Sequence, residues 1–441
     1  MNDKRNQAQP PEIGNPLADR HYAVHGRVSR KVVATTVIGN ALEFYDFVTY
    51  AFFAVYIGKA FFPTSTPVGS LLLSVAVFGV GFVTRPLGGI VIGAYADRVG
   101  RKPAMLLTIG LITVGTLGMA LTPSYDSIGI SAPIIVVVCR LVQGLALGGE
   151  VGPASAFLIE SAPTKQRGLF GSWQLASQGA AMLVAGLIGM LLTHFLSPAQ
   201  LQAWGWRLPF LLGLMLIPVA VYLRRAMPET LGAVSAPLGG HKMVSLRQHR
   251  RLIVLSVLAI LGGTVSTYLG NYMTTYAIAT LKLAPTVAMA ATVAVGATTV
   301  VFSLLGGWFC DRVGRRSVML VPRLLVALIA YPAFLWLVDT RTPAALLTVS
   351  IVLGALTAMS GAATLVAIPE LFPQRIRATG MSIAYATGVA LFGGSTQFVV
   401  TWLISASGNP AAPALYVTLT SVVAVVAMYL LPEGRHKELA Y

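Results

Sequence analysis

The chain has 441 residues, 56% of them hydrophobic and 10% charged, and a formal net charge of +16. A soluble protein carries about a quarter charged residues, so this composition excludes a water-covered globule. The two cysteines, Cys139 and Cys310, sit in apolar stretches and give no basis for a disulfide framework or a cysteine metal site.

Residues 1–31 are polar and rich in Pro, Asn and Gln. They show neither the short apolar core nor the small-residue cleavage site of a signal peptide, and they read as a cytoplasmic tail. Apolar runs follow at 32–57, 69–96, 103–122, 132–159, 168–194, 205–224, 252–280, 285–309, 317–338, 343–369, 378–405 and 412–431. Each supplies the roughly 20 apolar residues of a spanning helix. The runs are continuous rather than alternating, which predicts helices and not barrel strands. The expected fold is an all-α membrane protein of about twelve transmembrane helices. One six-helix bundle covers 32–225, a cytoplasmic linker 226–251, a second six-helix bundle 252–431 and a cytoplasmic tail 432–441.

The first run contains Glu43 and Asp46, three residues apart and so on one helical face. Ionisable groups at mid-membrane are costly and mark function. Burial disfavours the charged form of a carboxylate and a neighbouring Arg favours it; that competition is what proton coupling needs. The second run holds Arg85, 12 residues before Asp97 and so roughly 18 Å from it along a helix, near the membrane centre. A guanidinium fixed there suits bidentate capture of a carboxylate, with pairing to Glu43 as the alternative. The loop that follows reads Gly93-Ala-Tyr-Ala-Asp97-Arg98-Val-Gly100-Arg101-Lys102.

The fourth run contains Arg140 and, after a glycine pair, Glu150. The glycines around it (Gly144, Gly148, Gly149, Gly152) suit close helix packing rather than phosphate binding. Glu160, Pro163 and Arg167 come next, then Gln174 and Gln178 at i,i+4 in the fifth run. The linker contains Pro228, Gly232, Pro237, Gly239 and Gly240 ahead of a basic stretch suited to the anionic inner surface of a membrane. Tyr268, Asn271 and Tyr272 cluster in the seventh run, and Gly307-Trp-Phe-Cys-Asp311-Arg312-Val-Gly314-Arg315-Arg316 follows the eighth. Arg323 lies a turn or two inside the ninth, where it can snorkel to the surface and reads as structural. Glu370, Pro373 and Arg377 follow the tenth run; Tyr385 and Gln397 lie in the eleventh. Each of these amides and phenols, taken alone, is more often an interhelical hydrogen bond than a ligand contact.

The six histidines (His21, His25, His194, His241, His249, His436) fall in tails, loops or the outer end of a run, which leaves carboxylates as the proton carriers. No nucleotide-binding loop, metal cluster or nucleophile-plus-base arrangement is present in the sequence. No cofactor, metal or enzymatic activity is therefore expected.

Twenty-four of the 31 Lys and Arg residues fall in the tails and the loops on their side, and four (Lys59, Arg207, Lys282, Arg341) on the other. Arg85, Arg140 and Arg323 lie inside the runs. This bias predicts cytoplasmic termini and accounts for the net charge without nucleic acid.

The Gly93 decapeptide recurs at Gly307, an offset of 214 residues; Glu160-x-x-Pro-x-x-x-Arg167 recurs at Glu370, an offset of 210; Pro228-Glu229 recurs as Pro432-Glu433. Three ordered motifs at a near-constant offset predict a duplication, two bundles related by a pseudo-two-fold axis. The decapeptide in the loops after the second and eighth runs resembles the signature of the major facilitator superfamily. More narrowly, five strings resemble the metabolite:proton symporter family over residues 35–433. They are Gly39-Asn40-x-x-Glu43-x-x-Asp46-Phe47, Arg85-Pro86-x-Gly88-Gly89, Arg140-x-x-Gln143-Gly144, Gly148-Gly149-Glu150 and Trp204-Gly205-Trp206-Arg207-x-Pro209-Phe210. Strings around Tyr125–Gly129 and Ser172–Gln178 look most like the citrate-type and 2-oxoglutarate-type members.

The resemblance implies secondary active, proton-coupled symport of a small organic anion, a di- or tricarboxylate such as citrate or 2-oxoglutarate, by alternating access in the bacterial inner membrane. It implies Asp46 as proton acceptor, Arg140 as its partner and Glu43 as a second carrier. Substrate contacts are expected from Arg85, Gln174, Gln178, Asn271 and Tyr272. A gate is expected from Asp97, Arg98, Arg101, Glu160 and Arg167, and from Asp311, Arg312, Arg315, Glu370 and Arg377. The expected partners are an organic acid, protons and the lipid bilayer, around a monomer. The alternatives are a proton symporter of zwitterions such as betaine or proline, one of cyclic or aromatic acids, and a non-transporting membrane sensor.

Overall fold

The structure is a computed structural model that describes residues 30–99, 101–148, 158–159, 162–215, 217–226, 248–373 and 377–432. Among them, every regular element is helical. We number the spanning helices α1 to α12. The first half contains α1 (Arg30–Phe52, continued by Ala54–Phe61), α2 (Pro67–Val83, continued by Arg85–Val99), α3 (Arg101–Leu121), α4 (Ser131–Leu147), α5 (Arg167–Phe195) and α6 (Leu208–Met215 with Ile217–Ala226). The second contains α7 (Arg250–Ala279), α8 (Pro285–Val313), α9 (Arg315–Thr340), α10 (Pro343–Leu371), α11 (Arg377–Gly388, Val389–Gly393 and Gly394–Ser407) and α12 (Ala412–Leu430). Among the described residues, eight of these spans contain a stretch long and apolar enough to cross a membrane. Most of the linker lies outside the described residues.

Local chemistry sets the ends. Thr66 caps α2 by accepting the Gly69 N–H (3.1 Å), with Pro67 at the first helical position; Thr342 and Pro343 do the same for α10, through the Ala345 N–H (3.2 Å). Gly314, at φ 118°, turns the chain sharply between α8 and α9, so the glycine of the second decapeptide meets a backbone need that a side chain would oppose. The helices also run past the apolar runs: α8 continues to Val313 and α9 starts at Arg315. Hydropathy marks where apolar surface stops, whereas backbone hydrogen bonding continues through the charged motif.

Besides the interruption of α1 at Phe53, two spans are broken where they meet. In α2 the break is at Thr84; Pro86 has no N–H to offer the preceding turn. The Thr84 hydroxyl instead donates to the Leu141 carbonyl of α4 (2.9 Å). In α11 a π turn occupies Val389–Gly393, a feature frequent at functional sites. The two breaks abut: a Cβ on Gly394 would lie 2.9 Å from Phe82, and one on Gly393 would lie 2.6 Å from the Tyr268 ring.

The halves meet along α5 and α8. A Cβ on Gly168 would sit 2.3 Å from the Gly307 carbonyl oxygen, and one on Gly296 would sit 2.5 Å from the Leu183 nitrogen, so backbones touch directly. Farther along, Thr286 donates to the Thr193 carbonyl (3.4 Å). Between α1 and α7, the Thr275 hydroxyl donates to the Ala51 carbonyl (3.1 Å). Aromatic packing of Phe47, Phe78 and Phe82 against Tyr268 makes the core continuous across the halves. Helix alternation puts both decapeptides on one face, here termed the motif face.

Candidate transport site

The buried carboxylate comes first. Asp46 on α1 is 7% exposed. Its two oxygens accept one hydrogen bond each, from the Thr116 hydroxyl of α3 (2.7 Å) and from Gln143 Nε2 of α4 (2.7 Å). Gln143 Oε1 accepts from Arg140 Nη1 (2.8 Å). The expected Asp46–Arg140 pair is thus a relay through Gln143. The reason is geometric: Arg140 and Gln143 are one turn apart on α4, and the shorter amide reaches the acid first. Gln143 was visible in the Arg140-x-x-Gln143-Gly144 string. Thr116, one of three threonines in the apolar helix α3, left no signal.

Aromatic rings hold the two arginines. The Arg140 guanidinium lies 4.6 Å from the Tyr50 ring and 5.4 Å from Phe47; Arg85 lies 3.9 Å from Phe82 and 4.8 Å from Phe47. Cation–π attraction replaces some of the hydration these cations lose. Phe47 therefore stands between them. A pocket of about 10 Å³, enough for one water, touches Asp46, Arg85, Arg140 and Gln143. The Glu43 side chain and Glu150 lie outside the described residues.

A larger cavity, about 110 Å³, lies between the halves. Gln178 of α5 and Asn271 of α7 line it, together with Thr264, Tyr268, Ser350 and Tyr385. Among the described residues, Gln178 Nε2 and Asn271 Oδ1 have no hydrogen-bond partner. Arg85 is not in its wall: Tyr268 closes that side, edge-on to Phe82 at 5.4 Å. Gln174 and Tyr272 are also outside the wall. Gln174 Nε2 donates to Asn40 Oδ1 of α1 (3.0 Å), and the Tyr272 hydroxyl accepts from Thr401 of α11 (2.7 Å). No Asp, Glu, Lys or Arg appears among the described lining residues.

The second decapeptide joins the halves at the motif face. Asp311 accepts the Gly168 N–H (2.8 Å) and the Leu169 N–H (3.0 Å), the free donors of the first turn of α5. Arg315 sits 3.4 Å from Asp311 and grips Glu370 through Nε (2.9 Å) and Nη2 (3.0 Å). Arg312 lies instead over the Trp308 ring, 3.8 Å away. Arg167 begins α5 next to Gly168. The side chains of Asp97, Arg98, Arg101 and Arg377, and all of Glu160, lie outside the described residues.

The chain is similar to known proteins. The model of the family described as "Sugar (and other) transporter" matches residues 32–231 and 239–440. A citrate-proton symporter of Klebsiella pneumoniae is 34% identical over 412 residues, covering 92% of this chain and 93% of that one. A putative proline/betaine transporter of Staphylococcus haemolyticus is 33% identical over 420 residues, covering 94% and 90%. The crystal structure of a D-xylose-proton symporter superposes with a TM-score of 0.76 at 19% identity, covering 93% of this chain and 99% of the other, a likeness of fold alone.

Proposed function

The chain belongs to the sugar (and other) transporter family, within the major facilitator superfamily, and from that premise we propose proton-coupled symport of a small organic anion, a di- or tricarboxylate such as citrate or 2-oxoglutarate. It is a multi-pass membrane transporter and not an enzyme. In this reading it works as a monomer in the bacterial inner membrane, with both termini cytoplasmic.

The observation that carries the proton coupling is the Asp46–Gln143–Arg140 relay. An ionised Asp46 accepts from Gln143, which leaves the Gln143 oxygen free to hold Arg140. Gln143 Nε2 donates to Asp46 and to the Thr116 hydroxyl (3.1 Å); a protonated Asp46 has an O–H to donate, and the Gln143 amide then loses one of these two acceptors. Its reorientation releases Arg140, whose charge is permanent. Protonation on α1 is thereby converted into a changed contact on α4, beside the aromatic wall of the cavity. The organic-anion part rests on the citrate-proton symporter among the relatives. The uncharged lining of the cavity and the proline/betaine relative favour a second reading, a proton symporter of zwitterions.

Uptake of radiolabelled citrate and 2-oxoglutarate into proteoliposomes, with and without an inward proton gradient, tests both. Accumulation is expected to rise as the outer pH falls. In Asp46→Asn, gradient-driven accumulation is expected to vanish while exchange of substrate across the membrane persists. Uptake of betaine but of neither acid would sink the anion reading; acid uptake indifferent to the gradient would sink the coupling.

A further inference from the structure

Arg323 departs most from its sequence-based reading. Placed a turn or two inside α9, it reads from the sequence as a structural residue able to snorkel to the surface. The structure buries it completely. Its Nη1 donates to the Gly262 carbonyl (2.9 Å) and to the Ser266 hydroxyl (2.9 Å) of α7. Among the described residues, Nε and Nη2 have no hydrogen-bond partner and no carboxylate pairs with the guanidinium. A buried guanidinium lacking a counter-charge is costly, because both desolvation and the unmade hydrogen bonds oppose it.

Three observations direct its free edge toward the central cavity. Ser266, its partner, lines that cavity. Val326, about one helical turn beyond it on α9, lines it as well. Gly263 completes the wall, and among the described residues, apart from α7's own backbone, a Cβ built there meets within 4 Å only Arg323 Nη2, at 3.4 Å. The guanidinium is not itself exposed in the lining, and with no side chain at Gly263 only a methyl-sized gap separates it from the cavity. Asn271, two turns along α7, and Gln178 across the cavity both bring unpartnered amide atoms.

We propose that Arg323 is the anion-binding residue of a substrate subsite on the α7–α9 side of the cavity, taking one carboxylate of a di- or tricarboxylate through the gap at Gly263. The proposal rests on the organic-anion reading above. Nε and Nη2 offer the parallel donors that a carboxylate accepts. Gln178 and Asn271 then meet the polar remainder of the substrate. An uncharged cavity wall and an anionic substrate cease to conflict, since the charge sits just behind the wall.

The test is equilibrium binding of citrate and 2-oxoglutarate to the purified full-length protein, with wild type, Arg323→Gln and Gly263→Ala compared. Gly263→Ala is the informative variant, because alanine favours the helix, meets no other atom, and puts a methyl group into the gap. Both variants are expected to weaken binding of the two acids, Arg323→Gln at least tenfold, roughly the worth of a charge-assisted hydrogen-bond pair. Thermal stability of ligand-free Gly263→Ala is expected to stay at or above that of wild type. Binding that survives Arg323→Gln overturns the subsite and leaves the organic-anion reading standing. A loss confined to Arg323→Gln, with Gly263→Ala like wild type, makes Arg323 a clamp on α7 and also overturns it. A wild type that binds neither acid overturns both readings.

Discussion

Asp46 makes two hydrogen bonds, and they differ in what removing them should do. Thr116→Val takes away one of two donors to the carboxylate. A loss of about 1 kcal/mol is expected, seen as a few-fold drop in uptake with the pH dependence kept. Gln143→Leu strips a donor from Asp46 and the acceptor from Arg140 together. Uptake is expected to fall at least tenfold and its pH dependence to change shape, measured as initial rate against external pH in proteoliposomes. At the motif face, Arg315→Met leaves Glu370 buried without its partner. A loss of about 3 kcal/mol in stability is expected, since a buried charge left alone costs more than the pair contributed. Thermal unfolding of the detergent-solubilised protein measures it. Asp46 and Arg140 were evident from sequence because charge in an apolar run is conspicuous. Gln143 as the intermediary was not, because spacing along one helix says nothing about what the neighbouring helix presents.

At the scale of elements, α5 and α8 are held by backbone contact. A Cβ on Gly168 meets the Gly307 carbonyl oxygen at 2.3 Å, and a backbone atom cannot rotate away. Gly168→Ala is expected to force the two helices apart at the motif face and lower the melting temperature. Gly110→Ala, whose Cβ meets nothing within 4 Å, is the control and is expected to be neutral or slightly stabilising. The breaks in α2 and α11 belong to the same scale. The sequence reading runs a continuous helix through both; Pro86 is a local cause of the first, whereas the π turn at Val389–Gly393 carries no Pro. A π turn depends on what the helix packs against, here the Tyr268 and Phe82 rings.

At the scale of the molecule, Asp311 ties the second half to the first turn of α5, and we propose that this contact is part of the gate at the motif face. Asp311→Asn keeps the shape and removes the charge that complements the helix N-terminus. It is expected to populate the state open at that face, read as faster thiol labelling of a cysteine introduced at Gln178 on the cavity wall. An unchanged labelling rate would remove Asp311 from the gate. Twelve spans, their duplication and the membrane class could all be derived from the chain alone. A bilayer demands about 20 apolar residues per crossing whatever surrounds them, and a repeated motif announces a repeated bundle. Which polar groups meet was decided only by tertiary structure. It moved Gln174 and Tyr272 into interhelical bonds, closed Tyr268 over Arg85, and buried Arg323 beside Gly263. The physical reason is that hydropathy is a property of one helix, whereas a hydrogen bond between helices depends on the rotation and depth of two.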